Sequence, residues 1–340
     1  MKRPVAWLAA TGRAAPVKVL TNHDFAALGL DTSHDWIVER TGIVERHIAG
    51  PGETTCSMAS DAARIAMGRA NITAGELDLI VLSTATPDRL LPSTAVDVQA
   101  TLGATRAAAF DISAACSGFL YGLQVAEGLI ATGSHETALV VGAEKMSAIV
   151  DWTDRSTCVL FGDGAGAAIV RRATDGRGIL SSFTRSDGTL AELLYRPGGG
   201  ATIPFAEAVL TDRSHFVKMA GREVFKHAVR SMSEAADRAL DGARLTGSDI
   251  DLMIPHQANV RIIDYAAKKL GFPREKIIVN VDRYGNTSSG SIPLALADAA
   301  LDGRLRPGSL VLMTGMGAGL TWGSALMEWT AEVAGMREAA

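Results

Sequence analysis

Short β-type runs alternate with longer stretches of helical spacing along this chain. The sequence LDLIVLSTAT (77–86) predicts a buried strand, AAAFDIS (107–113) a second and TALVVGAE (137–144) a third. Between the last two, FLYGLQVAEGLIATG (119–133) predicts a helix that ends at Gly133, a residue type that commonly caps helices. This alternation predicts an α/β fold in which helices cover a parallel sheet.

The same plan returns in the second part of the chain. LTGSDIDLMIPH (245–256) matches ITAGELDLIVLST (72–84), and residues 277–317 repeat the strand, small-residue turn, helix, glycine turn and strand of 108–145. An offset of roughly 170 residues is too long for a solenoid repeat and indicates a duplicated domain. Two such βαβ halves would place the loops at their strand ends around one shared crevice.

The domain organisation follows from this duplication. We expect an N-terminal half over residues 1–180 and a C-terminal half over 216–340. The irregular region 181–215, with the loop-like RPGGGATIPF (196–205), is interpreted as an insertion that caps the crevice. The start, MKRPVAWLAATG, predicts a first strand, and a targeting segment is the less favoured alternative.

Composition excludes several classes of protein. The 340 residues are 47% hydrophobic and 21% charged, and the net charge of −4 gives no global field for nucleic acid or an anionic membrane. No apolar run approaches the roughly 18 residues that cross a bilayer, so we expect no membrane insertion. Three cysteines without a CxxC motif argue against a disulfide framework and a zinc cluster, and favour a reducing cytoplasm.

Cys116 stands between a predicted strand and a predicted helix, in DISAACSGFLYG (111–122). A helix N-terminus stabilises a thiolate through its free amide N–H groups and its dipole. The small neighbours would permit a tight turn and close approach of a substrate. A buried, inert cysteine is the competing interpretation, and we assign that packing role to Cys56 and Cys158.

His256 and Asn286 occupy the equivalent turns of the second half. His256 ends the strand DLMIP and precedes a helix, and Asn286 lies in the turn RYGNTSSGS. Alone, each could be structural, because asparagine favours turns and caps. Together with Cys116 they would supply a nucleophile that carries an acyl thioester and two N–H donors for an enolate oxygen. The glycine-rich GMGAGLTWG (315–323) could present a backbone N–H to a second oxyanion.

The nucleotide-loop interpretation of GDGAGA (162–167) fails its context. A strand-like AIVRR follows it where a dinucleotide site requires a helix. A turn between paired strands is expected here.

Across nearly its whole length the chain resembles 3-oxoacyl-acyl-carrier-protein synthase III, a family of the thiolase superfamily. The motifs that carry the resemblance are SHDWIVERTGIVERHI, DISAACSGFLYGL, TDRSTCVLFGDGAGAA, IPHQANVRIIDYAAKKLG, GNTSSGSIPLAL and GLTWGSAL. The resemblance implies a thiolase-like fold of five layers, α-β-α-β-α. It also implies a cytoplasmic homodimeric acyltransferase that begins fatty-acid synthesis.

The resemblance implies Cys116, His256 and Asn286 as the catalytic triad. Elongating ketosynthases of the superfamily carry Cys-His-His and thiolases carry Cys-His-Cys, so asparagine at position 286 separates this chain from both. Hydroxymethylglutaryl-CoA synthase would need a glutamate near the cysteine, and none stands around Cys116 in the sequence.

The implied reaction joins an acyl-CoA starter to malonyl-acyl-carrier-protein with loss of carbon dioxide. The acyl group rests on Cys116, the N–H groups of Cys116 and Ala318 hold the first oxyanion, and no metal or redox cofactor is expected. The residues implied to bind coenzyme A are Trp36, Arg40, Arg155, Ser156, Asn259 and Arg261.

Two further sets of residues follow from the resemblance. Lys226, Arg261, Lys268 and Lys269 would form the basic patch that an acidic carrier protein needs, although the two adjacent lysines could equally be a solubilising helix face. Leu91, reaching across a dimer interface, and Met316 would shape the acyl pocket. Both are compatible with starters larger than acetyl.

Alternatives stay open at this point. They are a related condensing enzyme or acyltransferase of specialised metabolism (polyketide or quinolone type), a non-catalytic partner subunit and a cysteine hydrolase. The intact triad argues against the partner subunit.

Overall fold

The computed structural model describes residues 4–330 of the chain. Its strands are β1 (Ala6–Ala14), β2 (Val19–Thr21), β3 (Glu45–His47), β4 (Leu79–Ser83), β5 (Ala108–Ile112), β6 (Thr137–Lys145), β7 (Asp163–Arg172), β8 (Ile179–Ser186), β9 (Leu194–Tyr195), β10 (Lys218–Met219), β11 (Leu252–Pro255), β12 (Leu310–Gly317) and β13 (Thr321–Glu328). Its α-helices are α1 (Asn22–Ala27), α2 (His34–Thr41), α3 (Thr55–Ala70), α4 (Thr94–Leu102), α5 (Gly118–Ala131), α6 (Arg155–Cys158), α7 (Glu207–Thr211), α8 (Gly221–Ala243), α9 (Val260–Leu270), α10 (Val281–Tyr284) and α11 (Ser291–Leu301).

Two mixed sheets form the centre of the molecule. The first has the order β1-β7-β6-β4-β5, and the second has the order β11-β12-β13-β8. The predicted parallel pairing holds for β4 with β5 and β6, and for β11 with β12. Strand β7 runs antiparallel to both β1 and β6, and β13 runs antiparallel to both β12 and β8. Each half therefore joins a parallel core to antiparallel strands.

The layers follow the order α-β-α-β-α, which confirms the predicted fold. Helices α5 and α11 each pack on strands of both sheets, α3 covers the outer face of the first sheet, and α8 covers that of the second. Ten of the eleven residues of α11 are buried, as a helix enclosed on all sides requires. Among the described residues, no helix is both long and apolar enough to cross a membrane.

Gly164 and Gly166 of GDGAGA lie inside β7, so the predicted turn at 162–167 is wrong. A Cβ on Gly166 would lie 2.4 Å from the backbone nitrogen of Leu294, and a Cβ on Gly142 of β6 would lie 2.1 Å from the carbonyl oxygen of Ser289. Both distances are far below contact, so these glycines let the segment that carries α11 rest directly on the sheet. This close approach brings residues 286–291 to the centre of the molecule.

Two other elements differ from the sequence prediction. Residues 181–186 belong to β8, so the irregular segment begins after the strand rather than at 181. The expected strand at 277–281 is reduced to one bridge, Met253 with Ile277. The side chain of Gln257 accounts for this, because it bonds the carbonyl of Ile278 and the N–H of Asn280 in place of a neighbouring strand. The division into two halves and a capping segment stays a prediction, and the ends of the chain lie outside the described residues.

Candidate active site

Cys116 sits in a sharp turn between β5 and α5. Residues 115–117 form a single 3-10 turn, and Ala115 adopts a φ of 45°, a left-handed conformation that is costly for a residue with a Cβ. Gly118 begins α5 so close to β4 that a Cβ there would lie 1.7 Å from Ser83 Oγ. The turn therefore places the thiol at the start of α5, as the sequence predicts.

The environment of the thiol differs from the expectation. Cys116 is only 6% exposed, and burial raises the pKa of its thiol to about 12. The thiol therefore keeps its proton at neutral pH, and the helix end does not by itself supply the thiolate that the sequence suggested. Its hydrogen-bond partner is the Ser288 hydroxyl, with 3.5 Å between Sγ and Oγ.

His256 follows β11 directly and is buried. Its Nδ1 lies 2.6 Å from the Ser291 hydroxyl, which also accepts the N–H of Gln257. Where the Ser291 hydroxyl donates to Nδ1, the neutral ring carries its own hydrogen on Nε2. Burial lowers the pKa of His256 to about 3, so the imidazole is a neutral N–H donor at physiological pH.

Asn286 is held by both its backbone and its side chain. Its N–H donates to the Leu160 carbonyl, and its carbonyl accepts from Gly162. The side-chain Oδ1 accepts the N–H of Ser288 at 2.8 Å. With its oxygen occupied in this way, the amide presents its NH2 group to a ligand.

Two cavities meet at Cys116. The first has a volume of about 190 Å³, and Cys116, His256, Asn286, Asn259 and Met316 are among its lining residues. The second has a volume of about 110 Å³ and is lined by Cys116, Ser288 and Ala318, with Ala85, Ile149 and Val217 among its apolar residues. The structure therefore brings the three predicted catalytic residues to one cavity, and the thiol lies on the wall common to both.

Ala318 follows the end of β12 on the other side of the thiol. A Cβ on Gly317 would lie 2.5 Å from the backbone nitrogen of Cys116, so the end of β12 runs directly against this turn. Ala318 and Cys116 line the second cavity together. Their proximity fits the predicted pair of oxyanion donors.

Five of the six residues implied to bind coenzyme A are linked in the structure. The guanidinium carbons of Arg40 and Arg155 lie 4.5 and 4.8 Å from the centre of the Trp36 ring. Asn259 donates its amide to the Arg40 carbonyl and accepts the N–H of Arg261 with its oxygen. Arg155 already stacks on Trp36, so an adenine between them would have to displace it.

The remaining basic and polar residues lie on exposed ends of helices. Ser156 bonds Asp154, and Arg261 lies 5.9 Å from the Phe225 ring, which lines the first cavity. Lys226 pairs with Glu223. Lys268 and Lys269 lie in the last turn of α9. Arg261 and Lys226 are therefore close to the cavity mouth on the packed pair α8 and α9.

Of the two residues predicted to shape the acyl pocket, one lines a cavity at the thiol and the other is exposed. Leu91 is 86% exposed and lines neither of the two cavities at the thiol. Met316 lines the first cavity beside His256 and Asn286. The second cavity instead uses residues such as Ala85, Ile149 and Val217, which sequence reasoning missed because they come from three separate segments of ordinary apolar composition.

Glu144 is the functional candidate that the sequence argument overlooked. It ends the buried part of β6, is fully buried, and accepts a hydrogen bond from Ser288 at 3.1 Å. The statement that no glutamate stands near Cys116 therefore holds only along the sequence. Strands β5 and β6 both pair in parallel with β4, so their carboxyl ends lie at the same edge of the sheet. That shared edge is the sequence feature from which the proximity of Glu144 to Cys116 could have been predicted.

Among the described residues, no group of acidic, histidine and cysteine side chains could hold a metal ion.

Comparison with known proteins decides the family. Residues 110–188 match 3-Oxoacyl-[acyl-carrier-protein (ACP)] synthase III, and residues 240–329 match the C-terminal region of the same family. Beta-ketoacyl-[acyl-carrier-protein] synthase III of Symbiobacterium thermophilum is 52% identical over 96% of this chain and 98% of that protein. The chain belongs to the 3-oxoacyl-[acyl-carrier-protein] synthase III family.

Solved structures agree with this assignment. The crystal structure of 3-oxoacyl-[acyl-carrier-protein] synthase III from Aquifex aeolicus matches with a TM-score of 0.89 and 48% identity, over 95% of this chain and 100% of that one. A priming β-ketosynthase from the R1128 polyketide pathway matches with the same TM-score but only 35% identity. The present chain is therefore an acyltransferase of the condensing type, and its function is the condensation that begins fatty-acid synthesis. The comparisons do not favour a role in specialised metabolism.

Proposed function

We propose that the enzyme condenses an acyl-CoA starter with malonyl-acyl-carrier-protein through an acyl group carried on Cys116. The observation that carries this proposal is the meeting of Cys116, His256 and Asn286 in one cavity, with a second, more apolar cavity behind the thiol. One cavity suits the arm of a thioester substrate, and the other suits the acyl chain. No cofactor is required beyond the CoA ester itself.

In the first half-reaction, the sulfur of Cys116 attacks the thioester carbonyl of the starter. The N–H groups of Cys116 and Ala318 hold the negative oxygen of the tetrahedral intermediate. The bond between the carbonyl carbon and the CoA sulfur then breaks, CoA leaves, and the acyl group stays on Cys116. Each such donor is worth about 2.7–4 kcal/mol of transition-state stabilisation.

In the second half-reaction, the malonyl thioester occupies the first cavity. Nε2–H of His256 and the NH2 group of Asn286 bond its carbonyl oxygen, where charge develops as carbon dioxide leaves. The neutral state of His256 suits this role, because the donor keeps its proton throughout. The carbanion attacks the acyl-cysteine, and 3-oxoacyl-carrier-protein leaves.

The predicted binding residues are assigned to the two substrates in turn. Trp36 and Arg155 are proposed to hold the adenine of CoA, Arg40 and Arg261 its phosphates, and Ser156 and Asn259 to line the path of its pantetheine arm. Arg261 with Lys226, Lys268 and Lys269 is proposed to dock the acidic carrier protein. Two observations support this: Lys226 adjoins Phe225, which lines the first cavity, and α8 packs on α9, whose last turn carries Lys268 and Lys269.

We also propose a cytoplasmic homodimer. Strand β5 lies at one edge of the first sheet, and Leu90 and Leu91 are 79% and 86% exposed. An unpaired edge and exposed leucines are features that a second copy of the chain would cover. In the dimer, Leu91 is proposed to reach the acyl pocket of the partner subunit.

The test of the nucleophile is intact mass after incubation with a panel of acyl-CoA esters. We expect wild type to gain one acyl mass, Cys116→Ser to gain none, and the matched variant Cys158→Ser to behave as wild type. Adducts retained by Cys116→Ser would refute the assignment. The ester that loads fastest identifies the starter.

The same samples separate the two half-reactions. After loading, malonyl-acyl-carrier-protein should discharge the wild-type adduct, whereas His256→Ala and Asn286→Ala should load normally and discharge about 10²–10³-fold more slowly. Release of free acid from wild type without the malonyl substrate, at the rate of turnover, would instead indicate a hydrolase.

A further inference from the structure

Glu144 is a buried carboxylate that the mechanism above does not use. Its two oxygens accept hydrogen bonds from the hydroxyls of Thr84, Thr86, Ser288 and Ser289 and from the N–H of Ala85. Five donors around one carboxylate can stabilise its charged form in the interior. Burying a carboxylate costs free energy. The burial of Glu144 so close to the Cys116 thiol, with only Ser288 between them, therefore points to a function.

A continuous chain of hydrogen bonds joins this carboxylate to the thiol. Cys116 Sγ donates to Ser288 Oγ at 3.5 Å, and Ser288 Oγ donates to Glu144 Oε1 at 3.1 Å. Ser288 adopts a φ of 48°, a left-handed conformation that holds its hydroxyl between the two groups. Each proton in this chain already points toward the carboxylate.

We propose that Glu144 receives the proton of the Cys116 thiol through Ser288 during acyl transfer and returns it during condensation. The proposal rests on the proposed function of Cys116. Ser288 touches the reacting sulfur and is the catalytic member of the pair. Glu144 acts through Ser288 and is a positioning residue that stores the proton.

The steps balance. In acyl transfer, the S–H bond breaks as sulfur bonds to the acyl carbon, its proton moves to Ser288 Oγ, and the Ser288 proton moves to Glu144. The departing CoA thiolate takes its proton from solvent. In condensation, the bond between the acyl carbon and Cys116 breaks, Glu144 returns its proton to Ser288, and Ser288 protonates the departing sulfur.

His256 is the other titratable group at the first cavity, and it suits this proton transfer poorly. Its Nδ1 is occupied by Ser291, and burial lowers its pKa to about 3, so it is a weak base. Burial raises the pKa of Glu144, which brings it closer to that of the thiol and makes it a better proton acceptor.

The two possible influences of Glu144 on the thiol have opposite signs. As a fixed negative charge, Glu144 raises the pKa of the Cys116 thiol, so Glu144→Gln would make the sulfur more reactive. As a proton acceptor, it speeds loss of the thiol proton, so Glu144→Gln would make the sulfur less reactive. A measurement of thiol reactivity against pH therefore separates them.

The experiment follows alkylation of the Cys116 peptide by iodoacetamide between pH 6 and 9, using mass spectrometry on the full-length protein. At pH 7 we expect Glu144→Gln and Ser288→Ala each to slow alkylation about tenfold or more. The double variant should lose no more than either single one, because both break the same path. Ser324→Ala is the matched control: Ser324 is a buried serine that donates to the Met313 carbonyl and bonds neither Glu144 nor the thiol, and its rate should stay within about twofold of wild type.

Alkylation of Glu144→Gln at the wild-type rate or faster would overturn the proposal. Equal losses in Ser288→Ala and Ser324→Ala would also overturn it, and this pair decides the matter if Glu144→Gln does not fold. Failure of the proposed function has a different signature, because wild type would then alkylate as described but gain no acyl mass from acyl-CoA.

Discussion

The Ser291 hydroxyl lies 2.6 Å from Nδ1 of His256. Ser291 opens the central helix α11, whereas His256 directly follows β11 of the second sheet. A Ser291 hydroxyl that donates to Nδ1 leaves the ring hydrogen on Nε2, the edge of the imidazole proposed to donate to the substrate. The arrangement of the central helix therefore controls the chemistry of a residue on a different element.

Ser291→Ala is expected to slow condensation about tenfold, because part of the His256 population would place its hydrogen on Nδ1 instead of Nε2. Loading of Cys116 does not use this donor and should keep its wild-type rate. The measurement is a rapid-quench comparison of loading and discharge. Equal slowing of both steps would mean that Ser291 only supports the fold.

The buried His256 predicts a pH-dependent stability. Burial lowers its pKa from 6.5 to about 3, so between these values the unfolded chain binds a proton that the folded protein does not. This contribution to stability is fully present above pH 6.5 and is lost as the pH falls towards 3. Urea unfolding at pH 7.5, 6 and 5 should show a shallower decline for His256→Asn than for wild type. The half-buried His135 offers the control variant His135→Asn, which should follow wild type.

Trp36→Ala is expected to raise KM for acyl-CoA about tenfold with little change in kcat, because stacking on the base contributes to binding and not to the reacting bond. Steady-state kinetics with the full CoA ester test this. Acyl-pantetheine, which lacks the nucleotide, serves as the control substrate and should be used equally well by both enzymes. A loss that persists with acyl-pantetheine would contradict the assignment of Trp36 to adenine.

Val217→Phe is expected to shift the preferred starter to a shorter chain, because the second cavity is only about 110 Å³ and Val217 lines it. Competition between acyl-CoA esters, read as the ratio of adduct masses, measures the shift. Met316→Phe enlarges a side chain of the first cavity instead and should leave the ratio unchanged. A larger shift in Met316→Phe would support the acyl-pocket role predicted for Met316.

Arg46→Lys is expected to lower the free energy of unfolding by about 1–3 kcal/mol. The fully buried guanidinium donates to the Leu20 carbonyl, to Asn22 Oδ1 and to the Val159 carbonyl, and a lysine cannot reach three acceptors in that planar arrangement. Urea unfolding tests this. Arg64→Lys, at an exposed pair with Asp61, should change stability by only a few tenths of a kcal/mol.

The local features of this site could be predicted from the sequence. The turn at Cys116, the strand end at His256 and the turn at Asn286 each follow from a change of periodicity flanked by small residues, and the duplication indicated that they meet. Local signals of this kind survive folding because they are dictated by neighbours along the chain.

The long-range part could not be obtained this way. Glu144 and Ser288 are 144 residues apart and look ordinary in sequence, and the acyl-cavity residues Ala85, Ile149 and Val217 come from segments that any core would contain. Burial also raises the pKa of the Cys116 thiol, an effect of packing around the residue. These properties arise from packing between elements. The distances between residues that are far apart along the chain cannot be read from the pattern of a single sequence.

The position of Cys116 on the wall between two cavities has a kinetic consequence. On the proposed function, an arm that has delivered its acyl group occupies the same entrance that the next arm must use, while the delivered chain stays in the second cavity. The two thioesters must therefore take turns, and each competes with the other for the vacant entrance. Double-reciprocal plots should consist of parallel lines, and an excess of either donor should slow turnover.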